Sequence, residues 1–259
     1  MADKDLCLSA YIDDKIVGMM FATRRDVRGQ QLGYIKLMGV HESFRRKKIA
    51  TRLYEISEQR LKEKGAKTIR IYDVPLNYFM PGIDPRYTPA VCFAFKMGFK
   101  QFGESINMVA YLDKLDLNTS AEEKNLENHD IEIRRATQAD TPKIKELLCA
   151  EWQLWNNELD MAMADNPPSV HVAFINGSLR AFSAHNANNK GTGWFGPMGT
   201  HPDMRGKGVG TILLKRCLLD MRHQGHKQAI IPWVAPIAFY SHFVNAKIER
   251  VFWRMEKQL

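Results

Sequence analysis

Hydrophobic and polar positions follow the same order in two blocks of the chain. Each block opens with two β-rich runs that are joined by a turn dipeptide, Asp13-Asp14 in the first block and Asn176-Gly177 in the second. These residues tolerate positive φ, so the pattern predicts a β-hairpin at the start of each block. A further strand follows, and it ends near Gly39 in one block and Gly199 in the other.

An amphipathic helix is predicted next in both blocks. Apolar residues recur every three to four positions over 49–56 and again over 209–221. Gly65 and Gly225 come where these periods stop, so we expect each glycine to end its helix in the left-handed conformation. A buried strand, a short helix and one or two closing strands complete each block.

The two blocks differ in how they begin. The second carries an additional strand over 131–134 and a helix before its hairpin, which the first lacks. Polar residues without a period join the blocks and are typical of a linker. We therefore predict an N-terminal domain over 1–113 without the opening strand and helices, a linker over 114–129, and a C-terminal domain over 130–259.

Composition narrows the class of protein. The chain of 259 residues is 45% hydrophobic, enough for two domains with their own cores. It has neither a signal-peptide pattern nor an apolar run of membrane-spanning length, so we expect a cytoplasmic protein without a membrane partner. The formal charge of +8 favours an anionic partner. Neither CxxC pairs nor zinc-like spacings occur, so we expect no metal; the cysteines are Cys7, Cys92, Cys149 and Cys217.

A turn rich in glycine and basic residues separates the strand near Gly199 from the following helix. It reads RGKGVG, residues 205–210. Backbone N–H groups at a helix start lack partners within the helix, and glycine lets an anion approach them. The turn fits neither the Walker nor the Rossmann spacing. It is therefore a candidate phosphate site, with a tight strand-to-helix connection as the alternative.

The same turn carries a family resemblance. RGKGVG matches [Q/R]-x-x-G-x-[G/A], the acetyl-CoA motif of the GCN5-related N-acetyltransferase (GNAT) superfamily, and the surrounding elements come in that superfamily's order. The resemblance covers nearly all of 131–259 and, more weakly, 6–112. It implies an α/β (α+β) fold of two GNAT-like units in tandem. Each would be a mixed, mostly antiparallel twisted sheet flanked by helices, with its fourth and fifth strands splayed.

The resemblance also implies a site for acetyl-CoA as co-substrate in the C-terminal domain. Pantetheine would pair with the fourth strand at Met198, Gly199 and Thr200. The family's usual general acid is a tyrosine in an "FY" pair, which here makes Tyr240 the candidate, with aromatic packing as the alternative. The residues implied for the pyrophosphate are Arg205, Gly206, Lys207, Gly208, Val209, Gly210 and Thr211.

The general base is left open by the sequence. Many relatives place a glutamate on the fourth strand, but here that strand has no carboxylate. His185, Glu158 and Asp160 are candidates, each with a structural or surface role as the alternative. Tryptophans suggest an aromatic pocket for the acceptor, with core packing as the alternative; they are Trp152, Trp155, Trp194, Trp233 and Trp253.

The first block departs from the motif at two positions. Lys48 stands at the central glycine and should crowd a pyrophosphate, and Ala94 stands at the tyrosine position. We therefore predict a degenerate N-terminal domain and assign catalysis to the C-terminal domain. The basic run 45–48 could alternatively hold a phosphate of CoA or touch nucleic acid.

The sequence thus favours an acetyl-CoA-dependent N-acetyltransferase that modifies a primary amine of a small molecule by direct attack on the thioester. The alternatives are a non-catalytic CoA-binding sensor or scaffold and, less favoured, a nucleic-acid-binding module. Neither the acceptor amine nor the oligomeric state is defined, and a homodimer is compatible with the sequence.

Overall fold

The computed structural model describes residues 3–75, 78–127 and 130–259. The chain divides into two compact units. Unit 1 comprises Met1–Ser105 and Val251–Leu259, and unit 2 comprises Ile106–Arg250. The unit boundaries fall within the last strand of each sequence half, so the end of each of these strands belongs to the other unit.

Unit 1 is a sheet covered on one face by helices. A 3₁₀ turn over Lys4–Leu6 precedes the first strand. The strands and helices of the first sequence half are β1 (Cys7–Ile12), β2 (Lys15–Val27), β3 (Gln30–Val40), α1 (Ile49–Glu63), β4 (Thr68–Ile71), α2 (Thr88–Lys96) and β5 (Lys100–Tyr111). β1, β2 and β3 pair antiparallel, and β4 runs parallel to β3.

Unit 2 carries a second sheet, of order β6-β7-β8-β9, with helices on both faces. α4 and α5 pack with one face, and α6 packs with the other. Its elements are α3 (Ser120–Glu127), β6 (Ile131–Arg135), α4 (Thr141–Glu151), α5 (Asn156–Met163), β7 (Val170–Ile175), β8 (Ser178–His185), β9 (Phe195–Thr200), α6 (Val209–His223), β10 (Gln228–Ile231) and α7 (Ile237–Val244).

Closing strands are exchanged between the sequence halves. β11 (Lys247–Gln258) brings its end into unit 1, where it pairs antiparallel with β4 and sets Lys257 opposite Ile69. The end of β5 lies in unit 2, where Ala110 is opposite Ala229 of β10. Each unit therefore completes its strand pairing with a strand from the other half of the sequence.

The segment expected to be a linker contains helix α3. This helix contacts β6 and is tied to α6 by ion pairs. Lys215 Nζ lies 2.7 Å from a carboxylate oxygen of Glu122, and Arg216 Nη2 lies 2.5 Å from one of Glu123. The sequence of α3 shows no hydrophobic period because this short helix is held by ion pairs and by one buried leucine, Leu126.

Several local expectations are confirmed. Both hairpin turns form with positive φ, including 48° at Asn176 and 73° at Gly177. Gly65 and Gly225 end their helices with φ of 83° and 90°. The mixed α/β class is confirmed as well. None of the described helices combines the length and the apolar character that crossing a membrane requires.

Candidate functional site

The glycine turn of unit 2 presents unpaired backbone N–H groups. Gly206 and Gly208 adopt φ of 78° and 79°, and α6 begins at the next residue, Val209. Among the described residues, no hydrogen-bond acceptor engages the N–H groups of Gly208, Val209 or Gly210. The first N–H of the helix with a partner is that of Thr211, which donates to the Gly208 carbonyl at 3.1 Å. The turn therefore offers donors to an anion.

Open space lies in front of these donors. A Cβ built on Gly206 or Gly208 would meet no atom within 4 Å. By contrast, a Cβ on Gly210 would lie 3.4 Å from Thr200 Oγ1 and 3.7 Å from Met198 Cε. The start of α6 therefore packs closely on the end of β9, while the residues before it leave room for a phosphate group.

Basic side chains flank the turn. Arg205 and Lys207 are both exposed. The guanidinium Nε of Arg205 donates to the Thr200 carbonyl at 3.4 Å, which holds this side chain beside the end of β9. Together with the unpaired N–H groups, these charges suit the pyrophosphate of CoA.

β9 and β10 part soon after they meet. Ile230 donates to the Gly193 carbonyl at 2.7 Å, and Trp194 and Ile230 form an isolated parallel bridge. After β10 the chain turns away from β9 and toward β5, where the N–H of Val234 donates to the carbonyl of Ile106 at 2.8 Å. This leaves a gap beside the later residues of β9, where the sequence predicts pantetheine.

β9 also carries an extra residue against β8. His185 pairs with Phe195 and Ser183 pairs with Met198, so the register shifts by one residue around Gly196. Such a bulge bends a strand and interrupts its pairing. The bend lies just before Met198, Gly199 and Thr200.

Tyr240 lies at the base of the splayed strands. Its side chain is only 6% exposed, and its ring makes an edge contact with Phe195, the first residue of β9, at 6.1 Å between ring centroids. Its hydroxyl has no hydrogen-bond partner in the part of the chain that the structure describes. Burial raises the pKa of Tyr240, so its phenol keeps its proton at neutral pH.

Two of the tryptophans form an aromatic wall against β9. Trp152 and Trp155 stack with ring centroids 5.7 Å apart, and both make edge contacts with Phe182. A Cβ on Gly199 would lie 2.8 Å from Trp152 Cζ3, so only glycine permits this approach. Both rings are half-buried and leave part of the wall to solvent.

The other tryptophans do not join this wall. Trp194 precedes β9, and Trp233 follows β10 with φ of 49°. Trp253 belongs to unit 1, where it bridges to Ile83. The predicted aromatic pocket is therefore supported by the stacked pair of Trp152 and Trp155.

The structure distinguishes the three candidate bases. His185 is fully buried, burial lowers its pKa to about 4, and its Nε2 lies 3.2 Å from Gln224 Nε2. Asp160 has a half-exposed side chain that pairs with Lys145 at 3.4 Å. Glu158 is buried at 8% exposure, and burial raises its pKa to about 7. Sequence reasoning missed this burial, although Glu158 shares a helix face with the apolar Trp155 and Ala162.

A buried charge cluster behind the site was also missed. Asp220 on α6 accepts hydrogen bonds from Arg135 at 2.6 Å and from Nε2 of His171 at 2.7 Å. Burial opposes its charge, but the bonds from His171 and Arg135 outweigh burial and lower the pKa of Asp220 to about 2. The cluster fixes α6 against β6 and β7 and so holds the helix that carries the glycine turn.

The corresponding turn of unit 1 keeps the same backbone shape without glycine. Arg46 and Lys48 adopt φ of 65° and 61°, and Arg45 Nε donates to the Val40 carbonyl at 3.2 Å, like Arg205 in unit 2. Lys48 therefore carries its side chain from the position that Gly208 leaves open. Ala94 is fully buried and offers no hydroxyl.

Comparison with known proteins agrees with this geometry. The acetyltransferase (GNAT) family model matches residues 1–78 and 131–242. The chain belongs to this family, which confirms the resemblance found in the sequence. A comparison with curated protein sequences finds no match.

Solved structures share the fold at low sequence identity. The chain resembles the GCN5-related glucosamine N-acetyltransferase region of a fungal multi-domain GH3 β-N-acetylglucosaminidase, with a TM-score of 0.79 and 18% identity over 94% of this chain. It spans only 32% of that protein's length.

Two further structures match over most of both chains. A tandem GNAT protein from the clavulanic acid biosynthesis pathway gives a TM-score of 0.67 and 15% identity over 96% of this chain and 81% of its own. A GCN5-related N-acetyltransferase from Sphaerobacter thermophilus gives 0.63 and 16% over 95% and 78%. At these identities the likeness establishes the fold.

Proposed function

We propose that the protein is an acetyl-CoA-dependent N-acetyltransferase that modifies a primary amine of a small molecule. The observation that carries this proposal is the row of unpaired N–H groups at the glycine turn, beside the parted strands β9 and β10. Donors, open space and two basic side chains at one helix start fit the pyrophosphate of CoA. Family membership supports the same co-substrate.

The residues of unit 2 have the following proposed roles. The turn from Arg205 to Thr211 binds the pyrophosphate, and Met198, Gly199 and Thr200 lie along the pantetheine. Acetyl-CoA supplies an activated acetyl thioester. The neutral amine attacks the thioester carbonyl, the C–S bond breaks, and the phenol of Tyr240 gives its proton to the departing sulfur. The nitrogen of the new amide loses one proton, which restores the phenol. Tyr240 is protonated at neutral pH and so carries the proton that it gives.

Unit 1 is proposed to be a structural copy without catalysis. Lys48 fills the position that Gly208 leaves open, and Ala94 replaces the tyrosine. Its turn keeps the left-handed φ values of the site but carries a lysine side chain where the site has glycine.

The small-molecule amine class draws support from the fungal structure, which is described as a glucosamine N-acetyltransferase region. The test is thiol release from acetyl-CoA in the presence of amino sugars, polyamines, amino acids and aromatic amines. Thiol release with at least one amine supports the proposed acetyltransferase activity. Tight binding of acetyl-CoA by calorimetry without thiol release would favour the sensor, and no binding at all would overturn both.

Gly208→Ala is expected to weaken acetyl-CoA binding about 10-fold or more. A methyl group would enter the space in front of the donors and lengthen charge-assisted hydrogen bonds, each of which contributes roughly 1.5–3 kcal/mol. Calorimetric titration with CoA measures this change.

Gly177→Ala is the matched control. Gly177 has nearly the same φ, 73° against 79°, and the same open surroundings, but it lies in the β7–β8 turn. Equal losses in both variants would show that backbone strain, and not the phosphate site, explains the result.

A further inference from the structure

Glu158 is a buried carboxylate for which the fold gives no structural use. It is 8% exposed, and no residue within the described ranges forms a hydrogen bond or an ion pair with it. Buried carboxylates are normally paired, because burying an isolated charge is unfavourable. An unpaired carboxylate in the first turn of the helix that follows the half-buried Trp155 therefore points to a ligand.

The position of Glu158 follows from the wall. Trp152 touches Gly199 of β9, Trp155 stacks on Trp152 and caps the start of α5, and Glu158 lies in the first turn of that helix. Both tryptophans pack against the hydrophobic cluster that includes Leu159, the next residue on α5. The helix that carries Glu158 packs toward β7 and β8.

No basic side chain in the described part of the chain forms an ion pair with Glu158. Burial by itself accounts for the raised pKa of Glu158, with no charged group of the described residues contributing. Asp160, two residues further on, is instead half-exposed and paired with Lys145. The carboxylate of Glu158 is therefore available to a cation that enters from outside.

We propose that Glu158, with Trp152 and Trp155, binds the ammonium group of the acceptor and takes its proton. The acceptor class is a primary ammonium attached to an apolar or ring-shaped body that lies on the indole faces. The role of Glu158 as a base rests on the proposed acetyl transfer, whereas the binding of an ammonium group by Glu158 can be tested separately.

The proton balance closes within the site. The bound ammonium transfers one proton to a carboxylate oxygen of Glu158, and the lone pair set free forms the new bond to the acetyl carbon. The C–S bond breaks, the sulfur takes the proton of Tyr240, and the excess proton on the nitrogen of the new amide passes to the Tyr240 phenolate. Tyr240 is thereby restored, and Glu158 releases its proton to water, so the transfer liberates one proton in all.

Binding of phenethylammonium and of neutral phenethyl alcohol tests the site through quenching of tryptophan fluorescence. At pH 8 the amine is still protonated, while most of the Glu158 carboxyl is ionised. We expect the wild-type protein to prefer the cation about 10-fold or more, as for a hydrogen bond to a charged group.

Substitutions at Glu158 and Asp160 test whether the Glu158 carboxylate causes the preference for the cation. Glu158→Gln, of the same shape, and Glu158→Met, which buries no polar group, are expected to bind both probes equally. Asp160→Asn on the same helix is expected to keep the preference. A preference that survives in either Glu158 variant, or that is missing from the wild-type protein, would overturn the inference.

Failure of the proposed function gives a different result. If the wild-type protein prefers the cation but releases no thiol from acetyl-CoA with any amine, the inferred ammonium site is supported and the proposed acetyl transfer is contradicted. If thiol is released at the same kcat/KM in wild type and Glu158→Gln, the proposed acetyl transfer is supported and the role of Glu158 is contradicted.

Discussion

Tyr240→Phe is expected to lower kcat for acetyl transfer by about 10²–10⁴-fold, the usual contribution of a positioned general acid. The phenol lies against Phe195 at the base of the splayed strands, and it is protonated at neutral pH. The affinity for acetyl-CoA should change little, because the pyrophosphate donors are on α6. Single-turnover kinetics with calorimetric Kd values would separate these effects.

The same substitution should leave stability almost unchanged. The Tyr240 hydroxyl has no partner among the residues that the structure describes, so its removal breaks no hydrogen bond. Tyr72→Phe is a matched control, since Tyr72 is likewise buried and its pKa is raised to about 12 by burial, but it belongs to unit 1. A Tyr240→Phe enzyme with wild-type kcat would remove this residue from the reaction.

Glu158→Gln is expected to gain stability relative to the wild-type protein as pH rises. Burial raises the pKa of Glu158 from 4.5 to about 7 in the folded protein. Below pH 4.5 the carboxyl is protonated in both the folded and the unfolded state, and burial of charge has no effect. Between pH 4.5 and 7 the unfolded state loses its proton first, so the folded wild-type protein is progressively destabilised.

The size of this effect follows from the pKa difference. The free energy of unfolding of Glu158→Gln minus that of the wild type should increase by ~2–3 kcal/mol between pH 5 and pH 8. Urea unfolding at both pH values measures it. Asp160→Asn, which removes a half-exposed carboxylate, should show no comparable trend. A difference that stays constant with pH would mean that Glu158 titrates as an ordinary surface group.

The parts of the site set by local patterns were predictable from the sequence. Strand, glycine turn and helix follow one another directly, so the position of Gly206 and Gly208 at the end of β9 needed no knowledge of distant contacts. The hairpin at Asn176-Gly177 and the helix end at Gly225 were predictable for the same reason.

Features that depend on tertiary contacts were not predictable. Glu158 stands in a polar stretch, and only the packing of α5 on the sheet buries it. The run of strand-forming residues in β11 predicts a strand but not its partner, β4. The left-handed φ of Lys48, 61°, was not predictable either, because lysine gives no local signal for this conformation; its crowding of a phosphate stays a prediction.

The pairing of β4 with β11 sets the order in which the chain can fold. Thr68 and Gln258 share a side-chain hydrogen bond although they are 190 residues apart. On the ribosome, the sheet of unit 1 therefore stays unfinished, with an edge of β4 open, until nearly all of unit 2 has been made. Expression of residues 1–113 alone would leave that edge exposed, so the first sequence half should aggregate unless residues 247–258 are supplied.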